Sequence, residues 1–169
     1  SATEAFVTGL DDRDNAQCVV CGYDLKECLA HCHIIGKNTS GSADQWEFLK
    51  KNGYIPAHAK SHVHEARNGI LMCQNHHTSF NNYLWFVRFV PMRRQYVFVN
   101  ISMSPQLAEF HNQPLNLDPD DVRAPFPAAF WVHEQLAWGK HFYVRPIQIS
   151  HTPPHQIPMP ARSAGIPIP

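Results

Sequence analysis

Two short pairs of cysteine and histidine have the spacing of a metal site. Cys18 and Cys21 are separated by two residues, and Cys73 and His76 repeat that spacing later in the chain. Three thiolates and one imidazole complete the tetrahedral sphere of a structural zinc ion, which stabilises a loop-rich fold. The alternatives for Cys18 and Cys21 are small buried side chains or a redox pair. We favour structural zinc, because two half-sites with matching spacing are more specific than one.

A second set of residues overlaps the first. In the segment NGILMCQNHHTSFN, Cys73, His76 and His77 follow Asn68 at the fifth, eighth and ninth positions. These intervals resemble the HNH endonuclease family, in which an asparagine precedes a C-x-x-C-H run, with His76 here replacing the second cysteine. Upstream, AHCHII resembles the strand that carries the family's first histidine, which would be His33. The segments DDRDNAQCVVCG and FVRFVPMRRQYVFVNIS resemble HNH proteins common in fungal genomes.

The resemblance implies an α+β fold with a ββα-metal core, also called a His-Me finger. It also implies a catalytic role for His33, Asn68 and His77. His33 would be the base that activates water, because a neutral imidazole can accept a proton near neutral pH. His77 would bind a divalent ion, and the Asn68 amide would pin the loop that orients the strand of His33. His76 and His77 diverge by about 100° on a helix, so they can serve different ions.

Two further residues, Asn81 and Cys32, are candidate ligands for the active-site ion. Asn81 lies one helical turn after His77 and would face the same ion, although related sequences carry Asp or His there. Cys32 stands where many family members have an Asp or His ligand. A thiolate at Cys32 would favour zinc over magnesium, so the expected ion is Mg²⁺, Mn²⁺ or Zn²⁺. Cys28 is expected to be buried and inert.

The charge pattern suggests where a nucleic acid would bind. The formal net charge is zero, which gives no overall attraction to phosphate. Residues 30–100 nevertheless hold eight basic and three acidic side chains, either by surface scatter or as a phosphate-facing patch. The candidate substrate contacts are Arg88, Arg93, Arg94 and His31. His31 is equally well explained as a packed structural residue.

Secondary structure was predicted from apolar periodicity and turn residues. We expect a short helical or irregular lead-in over 1–17, a strand over 29–35 and helices over 45–51 and 74–85. A β-hairpin should follow over 86–102, then a short helix at 107–111 and a closing helix over 128–138. The domain is expected to span 1–145, with a structural zinc knuckle and the added hairpin. Residues 146–169 form a proline-rich extension.

The composition limits the class of protein. No run approaches the ~20 apolar residues of a membrane span, so no membrane partner is expected. The five cysteines favour the cytoplasm or nucleus, and the oligomeric state is left open.

Three functions agree with these features. The first is a metal-dependent endonuclease acting on nucleic acid, DNA rather than RNA. The second is a zinc-stabilised binding module for nucleic acid or protein with a degenerate HNH site. The third is a metalloenzyme that acts on a small molecule with a repurposed HNH fold.

Overall fold

The computed structural model describes residues 4–141. The predicted tail 146–169 and the predicted domain end at 145 therefore lie outside the described residues. Four helices and four strands make up the described chain: α1 Glu4–Arg13, β1 Leu29–His33, α2 Ser42–Lys51, β2 Gly69–Cys73, α3 Gln74–Asn81, β3 Trp85–Val90, β4 Gln95–Asn100 and α4 Pro127–Lys140. Short 3₁₀ turns connect them at Lys26–Cys28, Ala66–Asn68, Pro91–Arg93 and Pro105–Phe110.

The first structural unit is β1, β2 and α3. The two strands pair antiparallel, with Leu29 opposite Cys73 and His33 opposite Gly69. All five residues of β2 are buried, which explains why its sequence GILMC is almost continuously apolar. Helix α3 begins directly after Cys73. This arrangement is the predicted ββα core, and it places the end of β1 beside α3.

Helix α1 packs against β2. A Cβ atom on Gly69 would lie 2.5 Å from Cζ of Phe6, so only glycine permits this close approach. A buried ion pair at the end of α1 joins Arg13 Nε to Asp14 Oδ1 at 2.6 Å. Asp14 Oδ2 also accepts a hydrogen bond from the Leu71 amide at 2.8 Å. These contacts fix α1 across the face of the ββα unit.

The second unit is a two-stranded sheet covered by α4. Strands β3 and β4 pair antiparallel from Trp85 opposite Asn100 to Val90 opposite Gln95. The Trp85 and Phe98 rings stack at 4.1 Å, within a core that also includes α3 and α4. No helix among residues 4–141 is long and apolar enough to cross a membrane.

The structure confirms the fold class, the hairpin and the closing helix, and it corrects several boundaries. The strand predicted over 29–35 ends at His33, and the helix predicted over 45–51 begins at Ser42. The helix predicted over 74–85 ends at Asn81, and Trp85 instead begins β3. Tyr83 adopts a left-handed backbone conformation with φ of 59°, which ends the helix. Its carbonyl accepts a hydrogen bond from His141 Nε2 at 2.8 Å. The turn is thus held from beyond the end of α4, through a contact that local sequence does not reveal.

Candidate functional site

The four predicted zinc ligands lie together. The ligand atoms of Cys18, Cys21, Cys73 and His76 are all within 4.8 Å of one another. Cys21 Sγ is 3.9 Å from Cys73 Sγ, and Cys73 Sγ is 3.2 Å from His76 Nδ1. Ligands of one tetrahedral zinc ion stand roughly 3.5–3.8 Å apart, given metal–ligand distances of about 2.0–2.3 Å. The donor set and its spacing therefore fit zinc, and we call these four residues the zinc cluster.

Local backbone geometry brings the zinc cluster together. Gly22, in the left-handed region with φ of 73°, turns the chain after Cys21, and its amide donates to the Cys18 carbonyl at 2.8 Å. Cys73 ends β2 and is the N-cap residue of α3, so His76 follows within the first helical turn. A knuckle and a strand–helix junction thus each supply two ligands.

Burial and neighbouring groups shift the pKa values of the thiols in the zinc cluster in opposite directions. Burial would raise the pKa of Cys18, but hydrogen bonds from His76 and from backbone amides lower it to about 6. Burial and the neighbouring Cys18 raise the pKa of Cys21 to about 12. One thiolate is therefore favoured without a cation, and a bound cation would favour the others. Cys28 lies outside the cluster and is half-buried rather than buried, which corrects that expectation.

A second site lies on the other side of α3. It is a cavity of about 310 Å³ bounded by β1, the loop that follows it, the start of α2, α3 and α4. Four predicted residues line it: His31, His33, His77 and Asn81. We call it the active-site cavity. His76 lies in the zinc cluster while its neighbour His77 lies here, so the predicted divergence of the two side chains is confirmed.

His33 is held in a defined orientation at the end of β1. Its ring stacks on Phe6 with centroids 4.2 Å apart, and its Nε2 lies 3.0 Å from the Val63 carbonyl oxygen. A carbonyl only accepts, so Nε2 carries the proton, and Nδ1 of the neutral ring is an acceptor. Burial, followed by the charges of Lys37 and nearby histidines, lowers the pKa of His33 below its ordinary value. The ring therefore stays neutral at neutral pH.

Asn68 ties together the segments around His33. Its buried amide accepts from the Ile35 backbone amide at 3.0 Å and donates to the Ile35 carbonyl at 3.1 Å. It also donates to the His62 carbonyl at 2.7 Å. These are the hydrogen bonds expected of a side chain that pins the loop after β1. Asn68 does not line the active-site cavity, so its influence on that cavity is indirect.

The proposed ligands of the active-site ion meet at the end of α3. Asn81 Nδ2 lies 3.0 Å from His77 Nε2, and Asn81 Oδ1 lies 3.7 Å from Cys32 Sγ. Burial lowers the pKa of His77, which leaves a neutral imidazole able to bind a cation. Cys32 is 1% exposed, and burial raises its pKa strongly. The cavity thus offers an imidazole and an amide, and imidazole suits zinc better than magnesium. Cys32 does not line the cavity, and its neutral thiol would bind a metal ion only after losing its proton.

The residues predicted to contact substrate are scattered. His31 lines the active-site cavity, where its Nε2 lies 2.7 Å from Asp11 Oδ1. Arg88 lies 2.8 Å from the buried carboxylate of Glu134 on α4, Arg94 is paired with Asp120 and Arg93 is exposed. Among the described residues that line the cavity there is no arginine.

Lys37, Ser42 and His133 are among the residues of the cavity wall that sequence reasoning missed. His133 stacks on Phe80 at 3.6 Å and lies 3.1 Å from the Phe80 carbonyl oxygen through Nε2. A histidine inside the largely apolar α4 sequence PAAFWVHEQLAW was the available signal. Lys37 and Ser42 flank the turn-rich segment NTSG, which predicted only a loop.

Comparison with known protein families gives one match. Residues 18–88 match the family model described as HNH endonuclease. This range includes the zinc cluster, His33, Asn68, His77 and Asn81. Comparisons with curated proteins and with solved structures found no match.

Proposed function

Residues 18–88 belong to the HNH endonuclease family, and from that premise we propose that this chain is a metal-dependent endonuclease that hydrolyses phosphodiester bonds in nucleic acid. The observation that supports the proposal best is the shared cavity. His33, with an acceptor nitrogen, and His77, with a neutral imidazole, line the same space. A water-activating base and a cation ligand must both reach one phosphate for hydrolysis.

In the proposed reaction, His33 Nδ1 takes a proton from water. The water oxygen forms a bond to phosphorus while the bond from phosphorus to the leaving oxygen breaks, and the leaving oxygen takes a proton from solvent. His77 and Asn81, with Cys32 close by, would hold the divalent ion. When bound, that ion supplies positive charge that stabilises the phosphate and the leaving oxygen. Val63 fixes the His33 tautomer, and Asn68 fixes the loop that follows it.

The ion is proposed to be zinc or another ion that accepts imidazole, with Mg²⁺ and Mn²⁺ as the alternatives to test. Carboxylate ligands suit magnesium and manganese, whereas imidazole suits zinc. Among the described residues that line the active-site cavity, none is an aspartate or glutamate. DNA is proposed over RNA as the substrate, and both belong in the assay.

The test is nicking of supercoiled plasmid, with matched single-stranded DNA and RNA, in magnesium, manganese or zinc and with chelator. We expect cleavage that requires a metal ion and falls about 10²–10⁴-fold in His33→Ala, the usual contribution of a general base. His58→Ala is the matched control, because His58 is exposed and should leave the rate unchanged. Equal cleavage by His33→Ala, or cleavage that survives chelation, would contradict the mechanism.

A second candidate is a zinc-stabilised binding module without hydrolysis. Two features favour it, because both weaken the site for a hard cation: Cys32 is neutral and buried, and none of the described residues that line the active-site cavity is an aspartate or glutamate. Binding of nucleic acid at high affinity with no cleavage in any of the three metals would support this module over the nuclease.

A further inference from the structure

The two walls of the active-site cavity differ in chemistry. One wall comes from α3 and α4 and presents His77, Asn81 and His133, while the other comes from the loop after β1 and the start of α2. Within residues 4–141, three buried side-chain atoms lack a hydrogen-bond partner, and two of them, Ser42 Oγ and His133 Nδ1, belong to residues of this cavity. Buried polar atoms normally have partners, so the cavity has unmet hydrogen-bonding capacity on both walls.

The two unpartnered atoms favour opposite ligands. His133 Nε2 faces a carbonyl oxygen, so it carries the ring proton and Nδ1 can only accept, which suits a cation or a water. Ser42 is 2% exposed, and its hydroxyl can donate to an anion. The wall of α3 and α4 therefore suits the ion, and the wall of α2 suits a negatively charged group.

The start of α2 supports an anion on its side. Gly41, the N-cap residue, has φ of 82° and provides no side-chain cap for the ten-residue helix. Amides in the first turn of a helix, together with the helix dipole, attract phosphate. The N-terminal turn of α2 meets the cavity through Ser42 and Gln45.

Lys37 adds a positive charge to the same wall. It lines the cavity, and its charge contributes, after burial, to the lowered pKa of His33. Among the ion pairs of residues 4–141 none involves Lys37. The Lys37 carbonyl lies 3.4 Å from His62 Nε2, which anchors the loop and leaves the ammonium group available.

We propose that Lys37, the Ser42 hydroxyl and the first-turn amides of Ala43 and Asp44 form a second phosphate subsite, which binds a backbone phosphate next to the one cleaved between His33 and His77. The Ser42 amide is not part of it, because it donates to the Thr39 carbonyl at 3.1 Å. The subsite rests on the proposed function for its substrate, a nucleic-acid strand, but not for its ability to bind phosphate. In this proposal the loop after β1 and the start of α2 position the substrate, and the arginines of the β3–β4 hairpin do not.

The subsite is tested first without any cleavage. Inorganic phosphate is titrated into the full zinc-loaded chain at constant ionic strength, and amide NMR shifts are followed. We expect saturable shifts of the Ala43 and Asp44 amides, with affinity about tenfold weaker in Lys37→Gln and several-fold weaker in Ser42→Ala. Lys51→Gln and Ser40→Ala are the controls, since both residues are exposed and neither lines the cavity. The proposal would be overturned if neither Lys37→Gln nor Ser42→Ala changed the phosphate affinity obtained from the amide shifts.

Ser42→Ala also separates binding from folding. Its hydroxyl has no partner among the described residues, so removing it should leave the unfolding temperature unchanged or slightly raised. A large drop in that temperature together with unchanged phosphate affinity would overturn the proposal in favour of a purely structural role.

The second arm uses a DNA oligonucleotide with the His33→Ala protein. Lys37→Gln should weaken binding about tenfold and lower the slope of log affinity against log salt by about 1. A neutral methylphosphonate placed beside the cleaved position should weaken binding by the His33→Ala protein, but not by the protein that also carries Lys37→Gln. Phosphate-dependent shifts without nucleic-acid cleavage would support the subsite and contradict the nuclease. If wild type cleaves nucleic acid but Lys37→Gln and Ser42→Ala bind phosphate and DNA with unchanged affinity, the nuclease is supported and the subsite is contradicted.

Discussion

The zinc cluster and the active-site cavity share α3 but differ in almost every other respect. The zinc cluster holds four ligand atoms within 4.8 Å of one another, three of them sulfur. The active-site cavity surrounds about 310 Å³ of space with histidines, amides and one lysine. Closed sets of four ligands are typical of structural zinc, whereas open sites leave room for water and substrate. The difference indicates that one region stabilises the fold and the other is built to admit a ligand.

The shared helix makes the two regions dependent on each other. His76 and His77 are adjacent, so a shift of α3 that separates His76 from the cysteines also moves His77 away from Asn68 and His33. We expect the cavity to depend on the zinc cluster more than the zinc cluster depends on the cavity, because damage to the cavity leaves all four zinc ligands in place. The following predictions test this asymmetry, from the largest expected effect to the smallest.

Removing one zinc ligand should disrupt the structure of both the zinc cluster and the active-site cavity. In zinc-finger peptides, structural zinc supplies about 10–16 kcal/mol of apparent binding free energy, and that energy stabilises the fold. The Cys18→Ser protein should therefore lose its zinc ion and its cooperative unfolding transition. Metal analysis measures the first loss, and circular dichroism measures the second.

Cys28→Ser is the matched control, because Cys28 lies outside the zinc cluster and should keep both the ion and the transition. If Cys18→Ser retained one ion and a normal unfolding temperature, the assignment of the zinc cluster would fail.

Removing the loop anchor should damage the cavity and spare the zinc cluster. Asn68→Ala leaves the Ile35 amide, the buried Ile35 carbonyl and the half-buried His62 carbonyl without their partner, which should cost about 2–4 kcal/mol of unfolding free energy. Urea unfolding measures the loss, and the ion content should not change.

Asn82→Ala provides the comparison, since the Asn82 side chain bonds the Thr78 carbonyl at an exposed position and should cost under ~0.5 kcal/mol. Equal losses for the two variants would show that Asn68 does not act as an anchor.

Acid should weaken the α4 wall through His133. Burial lowers the pKa of His133 to about 3, below the unfolded value near 6.5. Between these values the unfolded chain binds a proton that the folded chain does not, so stability falls as pH falls from 6.5. The expected loss by pH 5 is about 2 kcal/mol.

The contribution of His133 is isolated by comparing wild type with His133→Phe in urea at pH 7.5 and pH 5. The variant should show the smaller decrease in unfolding free energy. Equal decreases in the two proteins would mean that His133 does not resist protonation in the folded state.

Adding a carboxylate should make the cavity more favourable for a hard cation. Asn81→Asp retains the size of the side chain and adds a negative charge near His77. Affinity for Mn²⁺ at this site should rise about tenfold, or ~1.4 kcal/mol, because manganese prefers carboxylate oxygen. Titration calorimetry with Mn²⁺, on protein in which zinc fills the zinc cluster alone, measures this affinity.

Asn82→Asp places the same charge one residue later on the exposed surface and should not change the affinity for Mn²⁺. A similar gain in both variants would indicate nonspecific attraction and would remove the support for Asn81 as a ligand.

Sequence reasoning predicted what depends on spacing and periodicity. The paired ligand spacing predicted the zinc cluster, and helical geometry predicted the separation of His76 from His77. Two β-rich runs joined by a basic turn predicted the hairpin of β3 and β4. The assignment of His33 and Asn68 came from resemblance to a family, and their catalytic roles stay predictions. The domain limits, the compartment and the likeness to fungal proteins also stay predictions.

What the sequence did not reveal depends on contacts between distant segments. The turn that follows α3 is held by a hydrogen bond from His141 to the Tyr83 carbonyl, 58 residues away. The role of His133 depends on the Phe80 carbonyl, 53 residues away. Neither partner is marked by residue type, because every residue has a carbonyl. The unpartnered hydroxyl of Ser42 is likewise a property of the packed chain.

The distance between Phe80 and His133 also sets an order of events during biosynthesis. All four zinc ligands have been translated by residue 76. His133, which contributes to the cavity wall, is translated 53 residues after Phe80, the residue that it contacts. At about 5–20 residues per second, that interval lasts roughly 3–10 seconds. A nascent chain on the ribosome therefore acquires its full set of zinc ligands before α4 exists to complete the cavity.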